Sequence, residues 1–511
     1  MNYTTNQFTT GRKKIFCYEQ NITKDNVIAI VEAAKPTFEQ NNIEIERLFQ
    51  LYRGRDEDIV GRKRIGVNTE INTKGFVSYY SLIADYTANL FMQNQMILVN
   101  VDGKKDVSEA LIEYNKIHRN NNKYARDKQS ALHAAICGWG YRFVQKDRDT
   151  IINDSVLSPK SVMSIYGDDT DDRVMARVYV TQVLDKEAKL VSELSGQRDV
   201  NVATKDHYTI YTDKFTYSFT DGDETAEMKE ALGIGIPIIE YKLNPFYIGS
   251  FERSISLIQM LSLLRSDATN GVIQSIAGVL FGKNIGLANI GADDDEDTIK
   301  FKEEINRQMA EQMKAFRQLF VNDSKEGPAS LEYIGTELYN ADIEVLYQGI
   351  VKDITTISMI PNSVVNMGGS GNAGAADTAS GVKQALEHAA NSEPFWFESA
   401  REQLKVELLI AKEQGKLTKL DAGDLSFAMQ RNISIDPIVA TQAMETMLKN
   451  GITISDAVEY VGMSADPIEF EQRTLANMAK NEERKLEYVR REQEIINSTK
   501  ETSEEVITVV E

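Results

Sequence analysis

The residues of this chain whose types and spacing could do chemistry lie in a glycine-rich stretch from Met367 to Gly381. Residues 369–374 have the Gly-x-Gly-x-x-Gly spacing with which dinucleotide-binding enzymes approach a pyrophosphate. That fingerprint requires a strand before the glycines and a second parallel strand soon after the helix. Here the helix predicted to begin near Thr378 runs on with no strand following, and Ala375-Ala376 replaces the Lys-Ser/Thr pair of a P-loop. The favoured interpretation is a flexible hinge at the start of a long helix, and a nucleotide-binding enzyme is the alternative.

Metal and nucleophile chemistry have no matching spacing elsewhere in the chain. None of the four histidines has a second His or Cys at metal-ligand spacing or a neighbouring Gly-x-Ser-x-Gly turn. Cys17 and Cys137 are far apart and match no metal or redox motif. The acidic run Asp293–Asp297 lacks the sixth-position glycine of an EF-hand loop, because Thr298 stands there. We therefore expect no catalytic residue, no metal site and no cofactor.

Composition and charge are typical of a soluble protein with several folding units. The 511 residues are too many for one hydrophobic core, and 42% of them are hydrophobic. Asp and Glu outnumber Lys and Arg by 77 to 57, which gives a formal charge of −20. A protein that grips DNA by its phosphates normally has a basic face, so tight DNA binding is not expected. The sequence has neither a signal-peptide core nor an apolar run of about eighteen residues, so we expect neither secretion nor a membrane span.

The first half of the chain is predicted to be an α+β domain. Helices are expected at 24–54, with a restart at Pro36, and at 73–93, 106–118 and 122–137. Alternation of apolar and polar residues then predicts a series of short antiparallel strands: 141–144, 174–180, 207–211, 215–219 and 236–241.

From Gly249 onward the pattern changes to long helices. Apolar residues at steps of three or four predict one helix over 251–281, with a stripe of Ile255, Ile258, Leu261, Leu264, Val272 and Ile276. The elements predicted next are a helix at 299–316, strands at 318–321 and 331–334, and a second long helix at 340–359. Beyond the glycine stretch, a helix at 378–414 is expected to kink or restart at Pro394. A strand at 425–431 and two or three charged helices at 437–496 complete the prediction.

This order of elements resembles the portal proteins of tailed bacteriophages, and most of all those of siphophages that infect Gram-positive bacteria. Short motifs spread over roughly residues 40–435 carry the likeness: Leu51-Tyr-Arg-Gly54, Asn68-x-x-Ile71 with Ile83-Ala-Asp85 and Phe91, Ala135–Phe143, Ser158-Pro-Lys with Ile165-Tyr-Gly-Asp168, Pro237–Asn244, Gly249-Ser-Phe-Glu with Leu257-Ile-Gln, and Ser380-Gly381. The chain departs from some relatives between Asn362 and Val382, where it has no basic residue.

The resemblance implies an α+β, mainly helical portal fold assembled into a cyclic ring. Its regions would be a wing at 1–250, stem helices at 251–281 and 340–360, a clip at 282–339 between them, a tunnel loop at 361–378, the rest of the wing at 379–436, a helical crown at 437–496 and a disordered tail at 497–511. The stem would pack through the six apolar residues of the stripe at 255–276. The tunnel loop would act through Asn366, Gly368, Gly369, Ser370, Gly371, Asn372 and Gly374. The clip would dock partners through Asp293, Asp294, Asp295, Glu296 and Asp297.

The same resemblance implies a structural protein with no catalysis of its own. A ring of twelve subunits, or thirteen in isolation, would form a DNA conduit at one capsid vertex. Double-stranded DNA would pass through it during packaging and ejection without being held tightly. The implied partners are the terminase large subunit, the head–tail connector or adaptor, the major capsid protein and the scaffolding protein, with no membrane. The expected location is the portal vertex of the virion, and the host cytoplasm during assembly. A helical scaffold of another kind is the remaining alternative.

Overall fold

The computed structural model describes most of the chain between residues 11 and 508. The ranges outside the description are 1–10, 63–71, 101–104, 148–150, 169–172, 185–203, 232, 277–278, 284–289, 292, 317, 322–329, 335–339, 362–374, 430–436, 462–466 and 509–511. Within the described residues, helices and strands occur mostly in separate runs of the chain, which is the mixed α+β arrangement that was predicted. None of the described helices is both long and apolar enough to span a membrane.

The described part of the first half contains five helices: α1 (Val27–Tyr52), α2 (Glu57–Val60), α3 (Tyr79–Phe91), α4 (Lys105–Asn120) and α5 (Lys123–Cys137). The predicted restart of α1 at Pro36 is wrong, because the helix runs through it. A proline inside a helix removes one hydrogen bond. Here Val31 and Ala34 before the proline and Ile45 and Leu48 after it are all buried, and this packing offsets the loss.

Two sheets pack beside these helices. The larger sheet has the order β1-β5-β6-β7-β8-β9, and the smaller has the order β10-β3-β4. Their strands are β1 (Ile15–Cys17), β3 (Trp139–Asp147), β4 (Ile151–Leu157), β5 (Val162–Gly167), β6 (Val174–Leu184), β7 (Thr204–Tyr211), β8 (Phe215–Thr220), β9 (Glu227–Glu230) and β10 (Ile238–Lys242). The short strand β2 (Ile97–Asn100) lies apart and pairs with β14 (Leu425–Ala428). Strand β4 was not predicted, because its centre, Asn153-Asp154-Ser155, has the polar composition of a loop.

The polar centre of β4 faces a buried group of charges. Arg142 on β3 has no exposed surface, donates to Asp127 on α5 at 2.5 Å and contacts Asp154 on β4. Asp154 also accepts a hydrogen bond from Gln403 at 3.2 Å. A buried charge is tolerated only when it is paired and hydrogen-bonded, so these partners fix the positions of α5 and the smaller sheet.

A second buried ion pair joins the two sheets. Arg177 on β6 donates to Glu240 on β10 at 2.6 Å, and Tyr166 on β5 donates to the same carboxylate at 2.8 Å. Burial alone would raise the pKa of Glu240, but Arg177 and the Tyr166 hydroxyl outweigh it and hold that pKa at about 2. The carboxylate is therefore ionised at neutral pH and ties the sheets together.

The middle of the second half is organised around the described helices α6 (Ile255–Ile276), α8 (Asn340–Ser358) and α9 (Ala375–Glu413). Between α6 and α8 lie β11 (Val279–Lys283), α7 (Glu296–Phe316), β12 (Gln318–Val321) and β13 (Ser330–Ile334). The prediction that the first long helix reaches residue 281 is wrong, because β11 pairs with β12 on one side and with β13 on the other. The run Val279-Leu-Phe suits either periodicity, and pairing on both edges favours the strand.

Helix α9 runs through Pro394, so the predicted restart there is wrong, whereas a kink at this proline stays a prediction. Trp396 and Leu404 beyond the proline are buried, so packing again outweighs the missing hydrogen bond. The C-terminal helices are α10 (Pro437–Lys449), α11 (Ile454–Val461) and α12 (Pro467–Thr508). The predicted disorder of the tail 497–511 is wrong as far as Thr508, because α12 continues to that residue. Lys500, Glu501, Glu504 and Glu505 in this tail are good helix formers, although its polar composition suggests disorder.

We predict that Arg142→Met lowers the free energy of unfolding by about 3 kcal/mol, because it removes the fully buried cation that Asp127 and Asp154 share. Asp154 then keeps only the partly exposed Arg126, and Asp127 keeps only Lys123 at 3.9 Å. Arg47→Met is the matched control, since Arg47 and its partner Asp58 are 59% and 61% exposed. Exposed pairs contribute about 0–1 kcal/mol. Thermal unfolding followed by circular dichroism would compare the two. Equal melting temperatures would contradict the structural role of Arg142.

Candidate functional site

Helices α6 and α8 lie side by side and form the first part of the candidate site. The hydroxyl oxygens of Ser254, just before α6, and Ser358, at the end of α8, are 2.9 Å apart. Of the apolar stripe predicted on α6, Ile258 and Leu261 are fully buried, and Ile255 and Leu264 are half-buried against the same core. Val272 is 42% exposed, and the side chain of Ile276 lies outside the described residues. The N-terminal part of the stripe therefore packs in the core of the subunit, whereas Val272, near the C-terminal end of α6, faces outward.

Three polar side chains on one side of α6 accept hydrogen bonds from the backbone of residues 73–77. This contact was not predicted from the sequence. The backbone N–H groups of Thr73 and Gly75 donate to Asn270 at 2.8 Å and to Ser266 at 2.9 Å. The N–H of Val77 donates to Ser262 at 3.4 Å. These three side chains recur every four residues, which places them on one side of the helix. That spacing of small polar residues inside an apolar run is the signal that could have identified the contact.

A backbone corner fixes the start of α6. Gly138, at the end of α5, has a φ of +90°, and Gly249 approaches Ile136 so closely that a Cβ there would collide with its carbonyl oxygen. The N–H of Ser250 donates to the carbonyl of Ala135 at 2.7 Å. These contacts place the start of α6 directly against the end of α5.

Helix α8 presents apolar side chains on two sides. Ile350 and Ile354 face the core, whereas Val345 is 74% exposed and Leu346 is 52% exposed. Exposed apolar side chains that are grouped on one helix and continue onto a neighbouring helix mark an interaction surface more often than isolated ones do. We call this surface the outer stem surface; it consists of Val272, Ile273, Val345 and Leu346.

The acidic run Asp293–Asp297, predicted to dock partners, lies at the start of α7. Asp294 accepts hydrogen bonds from Lys302 at 2.5 Å and from the N–H of Gly291 at 2.6 Å, and these bonds hold its pKa below the usual value. Asp295 accepts from the Thr298 hydroxyl. Carboxylates at a helix N-terminus are also favoured by the helix dipole. Part of the run is therefore explained by the local fold.

All members of that run except Asp294 are exposed, and for Asp293 and Asp297 no side-chain bond within the fold is seen among the described residues. They lie in the same insertion as the sheet β12-β11-β13, in which the two outer strands each have one unpaired edge among the described residues. The insertion therefore offers both negative charge and strand edges to a partner.

Most of the glycine stretch, residues 362–374, lies outside the described residues. This range includes all seven residues predicted to act there: Asn366, Gly368, Gly369, Ser370, Gly371, Asn372 and Gly374. The residues on both sides of it are described. Ile360 and Pro361 are buried after α8, and α9 begins at Ala375. The stretch therefore connects two helices, as predicted.

The second half of α9 is anchored by a buried carboxylate. Glu407 accepts hydrogen bonds from Tyr114 at 2.5 Å and from Gln403 at 2.6 Å, and His118 Nε2 lies 3.1 Å away. Burial opposes its ionisation, but His118, Lys123 and the Tyr114 hydroxyl together hold the pKa of Glu407 well below its usual range. Sequence reading could not find this group, because Tyr114 and Glu407 are 293 positions apart.

The described residues contain no group of three or more His, Cys, Asp and Glu side chains that could hold a metal ion. Cys17 and Cys137 are both buried free thiols.

Comparison with known proteins identifies the family. Solved structures of gene transfer agent particles are similar at low identity: the neck of an empty particle computed with C6 symmetry (12%, TM-score 0.41), the virion of a native particle (10%, 0.38) and the neck of a native particle computed with C12 symmetry (9%, 0.42). Each match covers 79% of this chain and 95% of the other, and at these scores no detail carries over. No curated protein sequence matches. The family of phage portal proteins described as SPP1 Gp6-like matches residues 34–456. Because that match spans well over half of the sequence, the chain belongs to the SPP1 Gp6-like family of phage portal proteins.

Proposed function

We propose that this portal-family protein forms a ring-shaped DNA conduit at one vertex of a phage capsid, through which the genome is packaged and ejected. The outer stem surface is the observation that carries the proposal. Two adjacent helices leave apolar side chains exposed in a chain that is otherwise strongly charged. A head-to-tail interface repeated around an axis covers such a surface in every subunit and then closes. We propose twelve subunits, or thirteen in isolation.

The regions of the proposed ring follow the chain. Helices α6 and α8 form the stem, the insertion between them forms the clip, and residues 361–378 form the tunnel loop. Residues 1–250 and 379–436 form the wing, and 437–496 form the crown. We infer that the parent phage is a siphophage of a Gram-positive host, since the motifs quoted above are most similar to that branch.

The protein partners follow from the same assignment. The clip would dock the terminase large subunit and later the head–tail connector, while the wing would meet the capsid and scaffolding proteins. The ring would assemble in the host cytoplasm and remain at the portal vertex of the virion.

DNA would slide through the conduit rather than bind to it. The chain carries a formal charge of −20, which opposes tight attachment of phosphates. The role needs no catalysis and no cofactor. The alternative of a nucleotide-binding enzyme has no support from the family match.

Replacing both Val345 and Leu346 by Asp should break the ring into small species, because charges would then lie in a buried apolar interface. Native mass spectrometry at micromolar concentration would measure the distribution of assemblies. Ile43→Asp is the control, since Ile43 is an exposed apolar residue on α1. Wild-type protein that shows only monomers or dimers would contradict the ring, and intact rings of the double variant would remove this surface from the interface.

Replacing Asp293 and Asp297 by Ser should weaken binding of the terminase large subunit about tenfold and leave the ring intact, because both carboxylates are exposed. Glu303→Ser with Glu311→Ser removes the same charge from exposed positions farther along α7 and serves as the control. Asp294 and Asp295 are left unchanged because they bond within the clip. Affinity measured by biolayer interferometry that does not differ between the two double variants would exclude the acidic run from docking.

Replacing both Gly369 and Gly371 by Val should leave the ring intact and reduce DNA packaging in vitro, because valine closes backbone conformations that glycine allows. Ala373→Val is the control: it adds bulk in the same loop without removing a glycine, and so separates the effect of side-chain size from the effect of backbone freedom. Protection of packaged DNA from nuclease is the readout. Normal packaging by the double variant would show that the freedom of this loop does not matter.

A further inference from the structure

A cationic groove lies along the outer side of α9. Arg401, Lys405 and Lys412 form one wall with Leu408 and Leu409, and the loop Asp421–Gly423 forms the other, around a volume of about 440 Å³. Among the residues that the structure describes, no carboxylate lies within ion-pair distance of these three cations. Leu409 is 44% exposed between them.

Such a groove is unusual for a chain with a formal charge of −20. Three cations that face one volume repel one another, and they gain from an acidic occupant. Because Leu409 is exposed in the groove, we expect the occupant to have an apolar group as well. A protein segment with an apolar residue between carboxylates fits this chemistry better than a DNA backbone does.

The outer side of α4 has the complementary pattern. Glu109 and Glu113 are exposed one turn apart, and Ile112 between them is 70% exposed. The two glutamates are separated by about 6 Å along the helix, the same rise as between Arg401 and Lys405. Farther along α4, Lys116 and Arg119 carry the opposite sign, and the far wall of the groove supplies Asp421. The α4 face and the α9 groove are therefore complementary in charge, and each has one exposed apolar residue.

The two patches face away from each other on one subunit. Tyr114 on the inner side of α4 bonds Glu407 on the inner side of α9 at 2.5 Å, and both residues are buried. Ile112 and Leu409 lie on the opposite sides of their helices. One subunit therefore cannot bring its own patches together, whereas a neighbour related by rotation can.

We propose that the cationic groove on α9 of one subunit binds the Glu109–Glu113 face of α4 of the next subunit in the ring. This inference rests on the ring proposed above and identifies one of the contacts that close it. Glu109 and Glu113 meet Arg401 and Lys405, while Ile112 covers Leu409. Successive copies repeat the same contact head to tail.

Charge reversal and its rescue test the pairing. Arg401→Glu with Lys405→Glu should lower the population of rings at least tenfold at about 0.15 M salt, as should Glu109→Lys with Glu113→Lys. The quadruple variant restores opposite charges with inverted polarity and should recover the rings. Lys24→Glu with Lys214→Glu changes the charge equally elsewhere and should have no effect. Mass photometry measures assembly, and thermal melting verifies that each variant is folded.

The outcomes separate this contact from the ring itself. Absence of wild-type rings would overturn the ring and the contact together. Rings that survive both reversals, or a quadruple variant without recovery, would overturn the contact and leave the ring. Loss of rings only on reversal of the α9 charges would mean that a different acidic segment occupies the groove, and it would also overturn the proposal.

Covalent trapping gives an independent measurement. Ile112→Cys with Leu409→Cys should form disulfides between subunits on oxidation and give a ladder of oligomers on a non-reducing gel. Either single variant should give no ladder, and the native Cys17 and Cys137 are both buried. A double variant that yields only monomers while its rings are intact would contradict the contact.

Discussion

The arrangement of the whole molecule depends on charges that are buried between distant segments. Arg142, Asp127 and Asp154 join β3, α5 and β4, and Gln403 extends the group to Glu407 on α9. Such groups are costly to bury and stable only when every partner is in place. They therefore favour one position of α9 against α5, β3 and β4. An apolar interface of the same area would permit several arrangements, since apolar contacts are not directional.

The sequence was most informative where a local pattern decides the structure. The predicted helix at 122–137 is observed at Lys123–Cys137, and the predicted strand at 318–321 has the same bounds. Prediction from the sequence failed where contacts with a distant segment decide the local structure. The polar centre of β4 reads as a loop until Asp154 is placed beside Arg142, and β11 reads as helix until its two neighbouring strands are known. Both prolines inside helices were overridden by tertiary packing in the same way.

The candidate site was predictable to a similar degree. The apolar stripe of α6 was identified from its spacing, but spacing cannot tell which residues face the subunit's own core and which face outward. Ile258 and Val272 belong to one stripe and have opposite environments. The acidic run was also identified, whereas the ion pair that ties Asp294 to Lys302 could be found only from the structure. The roles assigned to the glycine stretch remain predictions, because those residues lie outside the described structure.

The corner at Gly249 has a mechanical consequence. The backbone there touches the end of α5 with no side chain between them, and Ser250 bonds the carbonyl of Ala135. A contact between two backbones has little of the compliance that side-chain rotation gives. A push or twist applied to the far end of α6 would therefore travel along this helix into α5 and its sheet instead of being absorbed at the joint. Helices α5 and α6 should move together as one stiff unit.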